Sequence, residues 1–365
     1  MDKRLILAVA GSGKTYHLCN SIDPAKRNYI LAYTNENIHN LQDELVKKFG
    51  SIPEKTRVTT FHSFLYSIFI RPNEAYVAKD YSVDAFRSNG VTIIEPEPQT
   101  KNNRNNPKYK KENDIEHYYT KGKAFIYCSR MSELPLKHKD VFSKGIERLN
   151  MFFDALYIDE FQDYRENDYR LLEKVIKRFA GSVLLAGDYY QHSVSGDNNY
   201  GVPFGTNKKP TTYADYVSLM EKLKLDIDFD SLKKSRRCTP DVCSFISKKL
   251  KIGIESCSEK EGKVIVLEKI DEAADVLQNT SIIKLVFKES KKYGQYFENW
   301  GNSKGNTYSS TCVVLTEKLT KLCSDNFDID SISQQTRNKL YVALSRSKGN
   351  VYVLDKDLFS KINLG

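Results

Sequence analysis

The first stretch along the chain whose residue types could do chemistry is a glycine-rich turn at residues 8–15, which directly follows an aliphatic run. Glycines at 11 and 13 let backbone N–H groups turn inward around a polyphosphate, Lys14 can reach the β and γ phosphates, and the Thr15 hydroxyl can ligate Mg²⁺. Ala8 stands where the general pattern has its first glycine, so a Gly-Ser turn in an unrelated α/β domain stays an alternative. The residues that we expect to contact ATP are Ala10, Gly11, Ser12, Gly13, Lys14, Thr15 and Tyr16.

A phosphate-binding loop needs a partner carboxylate, and the segment LYIDEFQD supplies two. Asp159 and Glu160 follow an apolar strand, at the edge where parallel sheets hold their ligands. We expect Asp159 to hold Mg²⁺ through water, and Glu160 to orient and deprotonate the water that attacks the γ-phosphate.

The elements that must position these residues alternate between strand-like apolar runs and helical patterns. This alternation predicts parallel sheets covered by helices, because each crossover returns the chain to the same edge of the sheet. Two α/β domains are expected, at residues 1–225 and 226–365, with a small basic insertion near 72–150 in the first.

Composition narrows the choice of partners. The net charge of +9 over 365 residues is compatible with a polyanionic partner or with a lysine-rich solvated surface. Seven scattered cysteines without a C-x-x-C pair favour neither a disulfide framework nor a zinc site. Since no apolar run approaches the length of a membrane span, we expect no membrane partner and a cytoplasmic location.

The Asn- and Lys-rich segment 95–123 is poor in aliphatic residues, and we expect it to be a surface excursion that contributes nothing to a core. Basic residues interleaved with tyrosines suit contact with a nucleic-acid backbone and stacking on its bases, although a solvated lysine loop without a ligand is the alternative. The residues concerned are Lys101, Arg104, Lys108, Lys110, Lys111, Lys121 and Lys123, with Tyr109, Tyr118 and Tyr119.

In their order along the chain, the motifs AGSGKT, AYTN, TTFHSF, IDEFQD, AGDYYQ, KSRRC, SKGNTY and YVALSRSK resemble those of the UvrD/Rep-like helicases of superfamily 1. The resemblance runs from near residue 5 to near 355 and implies a P-loop NTPase with two RecA-like domains. It implies that Gln191 senses the γ-phosphate, and that Arg237 and Arg346 reach across from the second domain as arginine fingers. Arg236 stands where this family has an adenine-stacking tyrosine, which leaves the base specificity open.

The same resemblance implies a nucleic-acid track. Thr34 and Asn35 can bond phosphates, and Phe61 and His62 offer faces for base stacking, with core packing as the alternative for Phe61 and for Phe64. Ser303 and Lys304 would lie near the strand or the nucleotide, and Trp300 is either a base stack or an anchor between domains.

Together these features predict a Mg²⁺-dependent ATPase that translocates on single-stranded DNA or a tailed duplex, and the resemblance favours 3′ to 5′ movement. The alternative from another class is a nucleotide-controlled DNA-binding regulatory subunit that gates a separate nuclease or a repair or defence partner. ATP turnover with and without a short oligonucleotide discriminates the two.

Overall fold

The computed structural model describes residues 2–102, 104–192, 204 and 212–362. The first sheet has six strands, all parallel, in the order β6-β1-β5-β4-β2-β3. Its strands are β1 Lys3–Ala8, β2 Asn28–Ala32, β3 Thr56–Thr60, β4 Ala155–Ile158, β5 Ser182–Gly187 and β6 Asp226–Leu232.

The second sheet has five parallel strands in the order β7-β11-β10-β8-β9. They are β7 Val264–Leu267, β8 Ile282–Val286, β9 Phe297–Asn299, β10 Ser310–Val314 and β11 Val351–Leu354. We call the described residues up to 232 the first lobe and those from 233 onward the second lobe.

The described part of the chain contains twelve α-helices. Those of the first lobe are α1 Lys14–Asn20, α2 Asn35–Phe49, α3 Phe61–Phe64, α4 Glu74–Asp80, α5 Glu133–Lys137, α6 Lys139–Phe152, α7 Glu166–Arg178 and α8 Tyr213–Lys222. Those of the second lobe are α9 Pro240–Leu250, α10 Ile270–Gln278, α11 Gln334–Leu344 and α12 Lys356–Lys361.

The inner strands of both sheets are largely buried on both faces, which explains their nearly continuous apolar sequences. In β2 the side chains of Tyr29 and Leu31 join one core cluster, whereas those of Ile30 and Ala32 join another beside α1 and α2. The second sheet likewise divides its strand residues between two clusters. The predicted α/β class, with parallel sheets flanked by helices, is confirmed.

Two expectations about chain organisation need correction. Strand β6 pairs with β1, so the first sheet extends beyond the expected boundary at residue 225 to Leu232. The segment 95–123 also contributes to the core, because Ile115, Tyr118 and Tyr119 are buried in the main cluster of the first lobe. The segment as a whole is polar, so its composition gave no indication that these three residues are buried.

A small hairpin of strands Thr100–Lys101 and Arg104–Asn105 precedes these buried residues, and its basic side chains are exposed. The exposed parts of the segment therefore lie mainly before Ile115, and Lys121 and Gly122 are exposed after it. Among the described residues, we find no helix that combines the length and the apolar character needed to span a membrane.

Candidate nucleotide-binding site

The turn between β1 and α1 has the backbone that its glycines allow. Gly11 and Gly13 have φ values of 71° and 91°, in the left-handed region that favours glycine. A Cβ on Gly11 would lie 2.5 Å from the Cβ of Arg237, and the Arg236 N–H donates to the Gly11 carbonyl at 2.9 Å. Gly11 is therefore needed both for the turn and for the close approach of the second lobe.

A cavity of about 370 Å³ opens in front of this turn, and both lobes line it. Ten of the residues predicted for nucleotide and metal binding or for catalysis face it: Gly11, Gly13, Lys14, Thr15, Tyr16, Asp159, Glu160, Gln191, Arg237 and Arg346. Ala10 and Ser12 do not line it, since Ala10 is fully buried and the Ser12 hydroxyl donates to the Val9 carbonyl at 2.9 Å.

The carboxylates after β4 lie against the turn. The Thr15 hydroxyl donates to Asp159 Oδ2 at 3.0 Å, and Lys14 Nζ lies 3.8 Å from Glu160 Oε1. Burial and the neighbouring Glu160 raise the pKa of Asp159. Burial also acts to raise the pKa of Glu160, but Lys14 and Lys304 outweigh it and hold that pKa below its usual range. Glu160 is thus kept ionised, as a base must be.

Glu160 is also held in an unusual backbone conformation. Its φ of 50° is left-handed, a strain that clusters at functional sites in residues other than glycine. Gln162 Nε2 donates to Glu160 Oε2 at 2.5 Å, while Gln162 Oε1 accepts from the Asp188 N–H at 2.9 Å. Sequence reasoning missed Gln162 and Asp188 as members of the site, although they lie inside the motifs IDEFQD and AGDYYQ.

The second lobe contributes two guanidinium groups. Arg237 Nη1 donates to the Ser345 carbonyl at 3.1 Å, and Arg346 Nε donates to the Val342 carbonyl at 3.0 Å. Burial, reinforced by the neighbouring Arg237, lowers the pKa of Arg346 to about 9, so the group remains cationic at neutral pH. Both cations are held by carbonyl groups of the second lobe at the wall of the cavity.

The mouth of the cavity carries an exposed ring. Tyr16 is 54% exposed, and the guanidinium carbon of Arg236 lies 5.9 Å from the centre of its ring. Arg236 therefore meets an aromatic ring supplied by α1.

The residues predicted for nucleic-acid contact divide into two groups. Thr34 and Asn35 are exposed at the start of α2, where the Thr34 hydroxyl accepts from the Asn37 N–H at 3.1 Å, and His62 is half-buried. The prediction of a stacking face for Phe61 is wrong for this structure, because its ring is fully buried against Tyr164 at 5.0 Å between ring centres. Phe64 is also a core residue.

Ser303 and Lys304 make their polar contacts within the protein. Ser303 is fully buried and its hydroxyl donates to the Trp300 carbonyl at 2.8 Å, so its side chain offers no contact to a strand. Lys304 Nζ pairs with Asp163 Oδ1 at 2.5 Å across the two lobes. Trp300 is fully buried and its indole N–H donates to the Leu285 carbonyl, so its ring is not available for base stacking.

Comparison of the sequence with known proteins identifies a family. The family model described as AAA domain (AAA_19) matches residues 2–197, which is more than half of the chain. The chain belongs to the AAA domain family. The match of this family ends beyond Gln191 and covers the phosphate-binding turn and both carboxylates of the cavity. No curated protein matches the sequence.

Several solved structures are similar to this AAA-domain chain. The PRRSV helicase has 12% identity over 100% of this chain and 55% of its own, with a TM-score of 0.45. The arterivirus nonstructural protein 10 helicase in complex with DNA has 13% identity, coverage of 98% and 62%, and a TM-score of 0.47. Unliganded Pif1 from Bacteroides sp has 13% identity, coverage of 99% and 92%, and a TM-score of 0.44.

This chain spans 55% to 62% of the length of the viral helicases. At such identities the likeness concerns the fold alone.

The donor atoms in the cavity suit a hard cation. Thr15 and Asp159 present adjacent oxygens, and Mg²⁺ is commonly held by one or two such groups together with substrate phosphates. Within the described residues no cluster of three or more His, Cys, Asp or Glu side chains could hold a metal ion. Such a cluster is not required when phosphates complete the coordination.

Proposed function

We propose that this AAA-domain protein is a UvrD/Rep-like superfamily 1 motor, an ATPase that moves on single-stranded DNA and separates tailed duplexes. One observation supports this most strongly: Lys14, Glu160 and Gln191 of the first lobe share a cavity with Arg237 and Arg346 of the second. A site completed by two lobes lets nucleotide binding favour a closed arrangement and hydrolysis favour an open one.

In this proposal the triphosphate lies along the turn at residues 10–15, with Lys14 against the β and γ phosphates. Thr15 and Asp159 would hold Mg²⁺, which neutralises developing charge on the phosphate oxygens when it is bound. Glu160, which the neighbouring lysines keep ionised and Gln162 orients, accepts a proton from the attacking water. Arg237 and Arg346 stabilise charge on the transferred phosphoryl group.

Single-stranded DNA would pass over the first lobe beside Thr34, Asn35 and His62, whose side chains retain exposure. Lys304 lies where the two lobes meet, because its ammonium pairs with Asp163 of the first lobe and lies 3.4 Å from the Gln191 carbonyl. This contact links a second-lobe loop to the turn that carries the proposed γ-phosphate sensor. Movement from 3′ to 5′ and a cytoplasmic location belong to the same proposal.

The decisive test is ATP turnover by the full chain, with and without a short single-stranded oligonucleotide. We expect strong stimulation by DNA, and at least a roughly 100-fold loss of turnover in Lys14→Ala, because the phosphates lose the cation of the turn. Lys26→Ala, at an exposed lysine of the same lobe, is the matched control and should retain activity.

Turnover that is slow and indifferent to DNA would overturn the motor and favour a nucleotide-controlled DNA-binding subunit that gates a separate nuclease or repair partner. A strand-displacement assay with 3′-tailed and 5′-tailed duplexes measures the polarity. Turnover of ATP and GTP should be compared, because Arg236 replaces the usual stacking tyrosine.

A further inference from the structure

One face of α11 rests on the turn that carries Gln191. Its residues at positions i, i+4 and i+7 reach this turn: Gln334 Nε2 donates to Tyr189 Oη at 2.6 Å, and Asn338 Nδ2 donates to the His192 carbonyl at 3.0 Å. The third is Tyr341, whose hydroxyl donates to Asp188 Oδ2 at 3.1 Å. The helix that leads to Arg346 therefore also contacts the turn at residues 188–192.

The Tyr341 hydroxyl has a second partner in the phosphate-binding turn. The Ala10 N–H donates to it at 2.8 Å, so this single oxygen from the second lobe bridges two segments of the first. Tyr341 and Ala10 are fully buried and Asp188 is 1% exposed. Because these atoms are buried, a hydrogen bond lost here is not replaced by one to water. Its loss would therefore disturb the positions of both segments.

Further hydrogen bonds connect Asp188 to the groups that we propose to be catalytic. Asp188 Oδ2 also accepts from Gln191 Nε2 at 2.8 Å. The Asp188 N–H donates to Gln162, which in turn donates to Glu160. A Cβ on Gly187 would come within 2.9 Å of Gln162 Oε1, so glycine before Asp188 leaves room for this connection.

We propose that Tyr341 is a positioning residue: its hydroxyl, supplied by the second lobe, sets the phosphate-binding turn and the Asp188–Gln191 turn relative to each other. The inference rests on the proposed ATPase function. Because Tyr341 is absent from the lining of the cavity, it acts through Asp188 and Ala10 and touches no phosphate. Its loss should slow the chemical step while substrate binding is largely retained.

The test compares Tyr341→Phe with Tyr216→Phe in the full chain. Tyr216 is a matched control, since it is fully buried in the first lobe and its hydroxyl has no hydrogen-bond partner among the described residues. We expect Tyr341→Phe to lower kcat for DNA-stimulated hydrolysis about tenfold or more, because small misplacements of catalytic groups are costly, with KM for ATP changed less than about twofold. Tyr216→Phe should change neither.

A second measurement needs no turnover. In hydrogen–deuterium exchange without nucleotide, Tyr341→Phe should speed exchange of the Ala10 amide at least about tenfold, since the hydroxyl that accepts from it is gone. Amides within β4 should exchange as in the wild type. A double variant with Asp188→Ala should lose no more activity than the worse single variant, as expected for groups that act as one unit.

Unchanged protection of Ala10 in Tyr341→Phe, or wild-type kcat in that variant, would overturn the proposal. An equal loss in Tyr216→Phe would reduce Tyr341 to a packing residue, and would overturn it as well. A wild-type chain without ATP turnover would refute the proposed function instead, and the exchange measurement would still decide whether Tyr341 positions the two turns.

Discussion

The nucleotide cavity and the predicted nucleic-acid track differ in how well their residues are arranged for the roles expected of them. At the cavity, residues from six separate motifs converge, and every side chain predicted to be catalytic lines it. Along the track, Phe61 and Ser303 are buried and Lys304 is paired with Asp163. Thr34 and Asn35 are exposed there, and His62 and Lys304 are half-buried.

The difference follows from what each function requires of the chain. Phosphate binding depends on backbone N–H groups and on a lysine fixed by a local turn, so the sequence spacing specifies most of the geometry. Base stacking depends on which ring face remains exposed after the lobe has packed. An aromatic residue in a motif serves the core equally well, as Phe61 does.

The largest effect should come from the two arginines of the second lobe. Arg346→Ala and Arg237→Ala should each lower DNA-stimulated kcat about 10³- to 10⁵-fold, because cations in these positions stabilise transition-state charge. Steady-state ATPase assays measure this, with the exposed Arg148→Ala as control. Wild-type turnover in either variant would remove that arginine from the site and weaken the contrast between the two regions.

The second largest effect should come from Glu160→Gln. This variant should lower kcat about 10²- to 10⁴-fold, which is the usual contribution of a positioned general base. The amide keeps the shape of the side chain, so ATP and DNA affinities should stay close to those of the wild type. Titration calorimetry with ATP and single-turnover hydrolysis separate these two quantities. If binding falls as far as kcat, Glu160 has a structural role.

Phe61→Ala and His62→Ala should distinguish a residue of the core from a residue of the predicted nucleic-acid track. Truncation of the buried Phe61 ring should lower the free energy of unfolding by about 3–5 kcal/mol. His62→Ala should change stability by less than about 1 kcal/mol, while weakening the affinity for single-stranded DNA. Urea unfolding and fluorescence anisotropy provide the two readouts, and a stable Phe61→Ala with impaired DNA binding would restore Phe61 to the track.

The smallest effect should come from the exposed basic residues before Ile115. Neutralising them together should reduce the slope of log K against log salt by about one unit for each DNA phosphate that the protein no longer neutralises. Unstimulated ATPase should be unchanged. The set to change is Lys101, Arg104, Lys108 and Lys111, and a control set of exposed lysines is Lys26, Lys139, Lys224 and Lys260.

If neutralising the first set leaves the slope unaltered, these basic residues do not bind DNA phosphates. We do not expect Tyr118 or Tyr119, which follow the hairpin in the sequence, to stack on bases, because both rings are fully buried.

The sequence by itself predicted the α/β class, the turn before Lys14 and the carboxylates after β4. The approach of Gln191, Arg237 and Arg346 to them was expected only from the resemblance of their motifs to a helicase family. The first three features depend on local rules: glycine at positive φ, apolar strand runs, and ligands at the carboxyl ends of parallel strands. Each can be recognised within a few residues, so spacing along the chain was sufficient.

Tertiary structure alone decided which side chains are buried and which hydrogen bonds join the lobes. Strand β6 extends the first sheet because it pairs with β1, which lies at the opposite end of the lobe's sequence. The Tyr341 hydroxyl meets Ala10 and Asp188 through separations of 331 and 153 residues. Contacts over such distances depend on the packing of whole lobes, and no local pattern of residue types encodes them.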